Sequence, residues 1–236
     1  MSNATDLILF SGGVDSTVLL KHFLQEKKKV RVLYIEMGWA KRAQPRIKFQ
    51  NISANNILNY MKEKYGDFQY SQASILTSLD EVNESRYFGT DHQWTAFFGA
   101  MFCKNYNIKR MWTGHFSYTD TLQKERHEPH ENDTENYQVH TSPGYLNGDN
   151  LAFWIDTGAS LTGHELEYCT PALNYKGTSI DRFKSKKEAW DSLEPELKRM
   201  VRSCISHRWV CNDDDNCYKC KWHKNYNIID KEGKPL

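Results

Sequence analysis

The sequence has no long apolar run and no excess of charge of either sign. No stretch approaches the roughly 18 apolar residues of a membrane span, and the opening "MSNATD" lacks the charged-then-apolar pattern of a secretory signal. Lysine and arginine number 31 against 30 acidic residues, a net charge of +1, so nothing demands a nucleic acid or an anionic membrane surface as partner. We therefore expect a cytoplasmic protein with no membrane partner, whose ligand must be inferred from local sites.

Two common nucleotide-binding motifs are also missing. No Gly-Lys-Ser or Gly-Lys-Thr occurs, and no GxGxxG follows the first apolar run. Periodicity predicts that this run, "DLILF", is a buried strand and that a helix follows it. The turn between them carries an unusual string: Ser11, Gly12, Gly13, Val14, Asp15, Ser16 and then Thr17.

A glycine turn that opens a helix presents backbone N–H groups at the positive end of the helix dipole, where anionic oxygens bind. Glycine lets the backbone approach a phosphate closely, and the hydroxyls of Ser11, Ser16 and Thr17 add donors. Asp15 would repel phosphate unless a divalent cation lies between them, which indicates Mg²⁺. The alternative is a plain turn in which Asp15 and Ser16 only cap the helix, but the complete string favours a phosphate site.

The order of periodic segments predicts an α/β fold with a doubly wound, Rossmann-like parallel sheet over residues 1–200. Strand, helix and strand patterns at 6–10, 14–24 and 30–35 form a βαβ unit. Helices are predicted near 47–65 and 92–106, strands near 75–76, 108–114 and 151–156 ("LAFWID"), and one or two helices around Pro195. Residues 116–150 are predicted to be an irregular polar loop or lid, of a length typical of functional or disordered segments.

Most of the six cysteines cluster near the C-terminal end, in the segment 201–236. In a cytosolic chain such a cluster indicates metal before disulfide, and the polar contexts "DDDNC" and "KCKWHK" argue against packed core cysteines. Four sulfur or nitrogen donors form the closed tetrahedral site typical of structural zinc. The candidate Zn²⁺ ligands are Cys204, Cys211, Cys217 and Cys220, with His223 as the alternative fourth ligand.

Residues 11–16 closely resemble the Ser-Gly-Gly-x-Asp-Ser loop of the ATP pyrophosphatases, a group that includes amidotransferase synthetases and tRNA thiolases. The resemblance implies an enzyme that cleaves ATP between its α and β phosphates. Residues 11–17 would then hold pyrophosphate, with Asp15 and Ser16 in catalytic roles and Asp15 on the magnesium. An N-terminal loop of this kind together with a C-terminal cysteine cluster resembles the 7-cyano-7-deazaguanine synthase family, which implies ATP, Mg²⁺ and Zn²⁺ as bound groups.

Later positions also match this family. Glu36-Met37-Gly38 stands where the family has Asp-Tyr-Gly, and Thr113-Gly114 matches a Thr-Gly that ends a later strand, so Glu36, Gly38, Thr113 and Gly114 are implied to bind ATP. A Thr-Pro of the family is matched by Thr170-Pro171.

Candidates for substrate contact follow directly after the Thr-Gly pair. Thr119-Asp120 matches a downstream Thr-Asp of the family, and His115 lies at the predicted strand's carboxyl end, where doubly wound folds gather their ligands. A solvent-facing loop is the alternative for His115, Thr119 and Asp120. The family's central Pro-Gly-Arg-Asn segment is replaced here by "FGTDHQW" at 88–94.

The resemblance implies an ATP-dependent C–N ligase that makes a queuosine precursor. It would adenylate a 7-deazaguanine carboxylate and aminate it with ammonia to an amide and then a nitrile, releasing AMP and pyrophosphate. The replaced segment leaves amide and nitrile both open as the product. The alternatives are another adenylating enzyme, such as a tRNA thiolase or an amide-forming deazaguanine relative, and a non-catalytic nucleotide-binding module that is stabilised by zinc. The family suggests a homodimer, while the charge balance argues against direct nucleic-acid binding.

Overall fold

The computed structural model describes residues 4–38, 44–76, 91–114, 116, 148–175, 178–183 and 186–201. Its strands are β1 (Asp6–Phe10), β2 (Val30–Gly38), β3 (Gln69–Leu76), β4 (Arg110–Trp112) and β5 (Glu167–Cys169). Its α-helices are α1 (Val14–Gln25), α2 (Gln44–Tyr65), α3 (Asp91–Tyr106), α4 (Gly148–Thr162), α5 (Pro171–Asn174), α6 (Lys186–Asp191) and α7 (Pro195–Met200).

The five strands form one parallel sheet in the order β3-β2-β1-β4-β5. The chain builds outward from β1 to β3 on one side, then returns to place β4 on the other side of β1. This reversal sets the carboxyl ends of β1 and β4 side by side, at the type of crevice where doubly wound sheets bind ligands. The predicted α/β fold with a doubly wound, Rossmann-like parallel sheet is confirmed for the described residues.

Each face of the sheet carries its own hydrophobic core, because successive side chains of a strand point to opposite faces. Ile8 and Phe10 of β1 pack with the buried residues of α1 and α2. Leu7 of β1 and Met111 of β4 lie in the second cluster, with residues of α3 and α4. Continuous apolar strands such as "DLILF" are what a sheet covered on both faces requires.

The helix predictions for 14–24, 47–65 and 92–106 are confirmed by α1, α2 and α3. The strand predicted from "LAFWID" is wrong, because residues 151–156 belong to α4. A short apolar run does not by itself separate a strand from a buried helix. The burial pattern of this segment is helical: Ile155 and Gly158, about one turn apart, are both buried, and Gly158 packs against Ala100 of α3.

Short elements complete the described chain. β5 was not predicted, since three residues carry too little periodicity to be recognised. The segment around Pro195 forms two short helices, one of the two arrangements predicted, and Pro195 occupies the first turn of α7, where its missing N–H costs nothing. Among the helices of the described ranges, none has the length and apolar character needed to cross a membrane.

Candidate functional site

The glycine string forms the connection between β1 and α1. Gly12 has φ +73°, in the left-handed region that a side chain disfavours. Gly13 is extended and is the N-cap of α1, which begins at Val14 without a side-chain cap. The first turn of the helix therefore starts directly at the glycines, with its backbone N–H groups at the carboxyl edge of the sheet.

The serine hydroxyls hold the shape of this turn. The Ser11 N–H donates to Ser16 Oγ at 3.2 Å, and the Ser11 and Ser16 hydroxyl oxygens are 3.1 Å apart. The Gly13 N–H donates to Ser11 Oγ at 3.3 Å. Ser11 is exposed and Ser16 is buried, so Ser11 is the member of the pair that a ligand can reach without unfolding the turn.

The remaining residues of the string divide into a core part and a solvent-facing part. Val14 and Thr17 are fully buried, and the Thr17 hydroxyl donates to the Gly13 carbonyl at 2.8 Å. Asp15 is half-buried in the first turn of α1, where the helix dipole favours a negative charge. The structure thus gives Thr17 a bond inside the turn and leaves Asp15 at its accessible side.

The second predicted motif meets the first one. Gly114, which follows β4, lies so close to α1 that a Cβ at this position would be 2.8 Å from the Asp15 carbonyl carbon and 2.8 Å from the Ser16 nitrogen. Real Cβ atoms do not approach backbone this closely, so residue 114 has to be glycine unless the backbone moves. The Ser-Gly-Gly string and the Thr-Gly pair, about 100 residues apart in sequence, are therefore in contact at the switch point of the sheet, where the strand order reverses.

Thr113 is held by the neighbouring strand. Its N–H donates to the Cys169 carbonyl at 3.1 Å, and its hydroxyl is hydrogen-bonded to the Tyr168 hydroxyl at 2.9 Å. Burial raises the pKa of Tyr168 to about 12, although the hydrogen bond to Thr113 acts in the opposite direction. Tyr168 is thus a neutral phenol at neutral pH. Tyr168 was not among the predicted site residues, because it lies on the unpredicted strand β5.

Two more predicted positions lie at the carboxyl end of β2, next to β1. The Glu36 carboxylate accepts a hydrogen bond from Ser74 of β3 at 3.0 Å. Gly38 is the last residue of β2 and pairs with Leu76. Thr170 follows β5 at the same edge of the sheet and is buried. Four strands therefore deliver predicted positions to one edge.

A residue that sequence reasoning missed lies behind the glycine turn. Ser53 of α2 is 3% exposed, and its hydroxyl donates to the carbonyls of Gly12 at 3.2 Å and Met200 at 2.6 Å. The one available signal is the pair of small residues Ser53-Ala54, which lets another segment approach the helix closely.

The candidate substrate residues His115, Thr119 and Asp120 lie outside the described residues. So do the candidate zinc ligands, namely Cys204, Cys211, Cys217, Cys220 and His223. Within the part of the chain that the structure describes, no group of three or more His, Cys, Asp or Glu side chains could hold a metal ion. The two cysteines described, Cys103 and Cys169, are buried free thiols, and burial raises the pKa of each to about 12.

No protein-family model matches the chain, and no curated protein matches it in sequence. Among solved structures, it resembles the crystal structure of a predicted subunit of tRNA methyltransferase from Methanocaldococcus jannaschii. The identity is 14%, the match covers 75% of this chain and 72% of that chain, and the TM-score is 0.37. A likeness at that level carries no inference about ligands or activity.

Proposed function

We propose that this chain is an ATP-dependent ligase that adenylates a 7-deazaguanine carboxylate and aminates it with ammonia. The observation that carries the proposal is the contact of Gly114 with the backbone of Asp15 and Ser16 at the switch point of the sheet. Two strings that separately resemble ATP pyrophosphatase motifs meet there, and a ligand bound to one is within reach of the other. The choice of substrate rests on the sequence resemblance alone.

The turn suits a polyphosphate because its donors are backbone groups at a helix N-terminus and its glycines leave room for close approach. The donor chemistry also fits Mg²⁺, since the half-buried Asp15 offers the hard carboxylate oxygen that this ion prefers. A bound Mg²⁺ would supply charge neutralisation on the departing pyrophosphate. Zn²⁺ is proposed as a structural ion of the cysteine segment.

The chain's own contribution to the reaction is alignment and charge stabilisation. The substrate carboxylate oxygen attacks the α-phosphorus, pyrophosphate leaves, and ammonia then displaces AMP to form an amide. Backbone N–H groups of the first turn of α1 would orient the leaving pyrophosphate, which needs no nucleophilic side chain. A second adenylation, at the amide oxygen, followed by loss of AMP would give the nitrile.

The proposal is tested by incubating zinc-replete protein with ATP, Mg²⁺, ammonium and 7-carboxy-7-deazaguanine, and following AMP and the deazaguanine by mass. Amide or nitrile formed together with AMP is the expected result. The ratio of AMP to product distinguishes one adenylation from two. ATP binding without AMP formation would retain the nucleotide site and reject this substrate, with "FGTDHQW" the first segment to examine.

A further inference from the structure

Ser53 is a buried hydroxyl whose position the fold determines from two sides. It lies in α2, and its oxygen is within hydrogen-bonding distance of the Gly12 carbonyl at 3.2 Å and of the Met200 carbonyl at 2.6 Å. A serine has one proton to donate, so the two carbonyls share it in a three-centre bond. The oxygen therefore stands fixed between the glycine turn and the end of α7.

The turn rests directly on this part of α2. A Cβ at Gly12 would be 3.1 Å from the Ala54 nitrogen and 3.3 Å from Ser53 Oγ. Ala54 is fully buried, so the small pair Ser53-Ala54 forms a floor of backbone and one hydroxyl beneath Gly12. A side chain at Gly12 would press against this floor, so the position of the turn depends on glycine at residue 12.

The bond to Gly12 determines where the next N–H points. In a planar trans peptide the C=O and the N–H lie on opposite sides. Because Ser53 holds the Gly12 carbonyl toward α2, the Gly13 N–H is directed away from α2, where it meets the hydroxyl of the exposed Ser11. This is the side on which an anion can approach the first turn of α1.

We propose that Ser53 is a positioning residue of the glycine turn: its hydroxyl fixes the Gly12–Gly13 peptide, whose Gly13 N–H in turn holds the exposed Ser11 hydroxyl on the side where the ligand approaches. The inference rests on the proposed function, because it assigns a polyphosphate to this turn. It adds a residue of α2 that no motif includes.

The test compares Ser53→Ala with Ser53→Thr, which keeps the hydroxyl, and with Ser192→Ala as a matched control. Ser192 also donates its hydroxyl to a backbone carbonyl, that of Ala189 at 2.6 Å. Ser192 follows α6 and its carbonyl accepts a bond from Lys21, which lies in the later half of α1, away from the glycine turn. Alanine is a good helix former, so Ser53→Ala is expected to fold. Calorimetry measures the Kd for Mg²⁺-pyrophosphate and for AMP, and thermal unfolding measures stability.

In Ser53→Ala the Kd for Mg²⁺-pyrophosphate is expected to rise about fivefold to tenfold, the range for loss of one hydrogen bond. The Kd for AMP should stay unchanged, because AMP lacks the two phosphates assigned to the turn. Ser53→Thr and Ser192→Ala should bind pyrophosphate like the wild type. A general folding defect would instead weaken both ligands.

Two results would overturn the inference while leaving the proposed function intact. One is an unchanged pyrophosphate Kd in Ser53→Ala; the other is an equal loss in the Ala and Thr variants, which would show that the hydroxyl is not responsible. If the wild-type protein binds neither Mg²⁺-pyrophosphate nor ATP, the proposed function fails and the inference fails with it.

Discussion

The central strands β1 and β4 are joined at both ends, but by different means. At their amino ends the buried carboxylate of Asp6 accepts two bonds from Arg110, from Nε at 2.7 Å and from Nη2 at 2.8 Å. Trp112 donates its indole N–H to the same carboxylate at 2.8 Å. This planar, bidentate arrangement is the strong form of an ion pair.

At the carboxyl ends the segments that follow the two strands make close backbone contacts. Gly114 touches the backbone of Asp15 and Ser16, and Gly12 rests on α2. At the amino ends the charged groups of Asp6 and Arg110 are paired with each other, and Asp6 is buried. At the carboxyl ends Asp15, in the first turn of α1, is half-buried. If the proposed function holds, one end of the strand pair supplies stability and the other supplies the ligand site.

The largest effect is expected from Asp15→Asn. If Asp15 holds Mg²⁺ at the turn, AMP formation should fall about 10²–10³-fold, the range for losing one preorganised electrostatic group. The free energy of unfolding should change by only about 0.5 kcal/mol, the worth of a charge near a helix N-terminus. Steady-state assay of AMP and chemical denaturation measure the two quantities.

Asp67→Asn is the matched control for Asp15→Asn. Asp67 is 93% exposed and reaches Lys62 only at 3.7 Å, so its loss should leave both activity and stability unchanged. A large stability loss in Asp15→Asn with full activity would reverse the assignment of the two ends.

Gly114→Ala should have the next largest effect. The added Cβ has no room against the α1 backbone, so the turn must move, at a cost of about 1–3 kcal/mol. Part of that cost should fall on the ligand site, raising the Kd for Mg²⁺-ATP about tenfold or more. Binding calorimetry and thermal unfolding on one preparation separate the two contributions.

Gly66→Ala provides the contrast for Gly114→Ala. Gly66 has φ +90° and nothing within 4 Å of an added Cβ, so the substitution introduces backbone strain without a clash. It should lower stability by about 1–2 kcal/mol and leave the Kd for Mg²⁺-ATP unchanged. Equal Kd values for Gly114→Ala and the wild type would show that residue 114 does not shape the ligand site.

The sequence alone predicted the features that depend on apolar periodicity or on resemblance to a known motif. Apolar periodicity predicted the βαβ opening, and the two glycine motifs were placed at strand ends, where the structure has them. Ser53 and Tyr168 were missed because each acts through a contact with a distant segment: a serine on a helix does not reveal that a loop 41 residues earlier lies on it. "LAFWID" was wrongly predicted to be a strand, because a short apolar run does not reveal that this segment packs as a helix against α3.

Asp6→Asn tests the amino ends. Burial alone would raise the pKa of Asp6, but hydrogen bonds from Arg110, Thr5 and Trp112 outweigh it and hold the pKa below its ordinary value. The substitution removes charge-assisted bonds worth about 2 kcal/mol and should lower Tm by roughly 4–8 °C in a chain of this size. The Kd for Mg²⁺-ATP should not change, and a weakened Kd in a folded Asp6→Asn protein would mean that the two ends are coupled.

The smallest effect concerns Glu194, which connects the helices flanking the glycine turn. Its carboxylate contacts Lys64 of α2 at 3.0 Å, the Tyr65 hydroxyl at 3.0 Å and Lys21 of α1 at 3.2 Å. Burial would raise the pKa of Glu194, but the bonds from Lys64 and Tyr65 and the charge of Lys21 lower it from 4.5 to about 2. A folded-state pKa below the unfolded one stabilises the fold above pH 4.5, and this contribution is lost as the pH falls toward 2.

Glu194→Gln should therefore lower the free energy of unfolding by about 1 kcal/mol at pH 7, a value reduced for partial solvent exposure. The difference from the wild type should shrink as the pH falls from 4.5 toward 2, because in this range the carboxyl of the unfolded wild-type chain takes up a proton before that of the folded chain does. Urea unfolding at a series of pH values measures this, with Asp67→Asn again as the exposed control. A difference that stays constant down to pH 2 would assign the stabilisation to packing at the start of α7, since only an ionic contribution disappears with the charge.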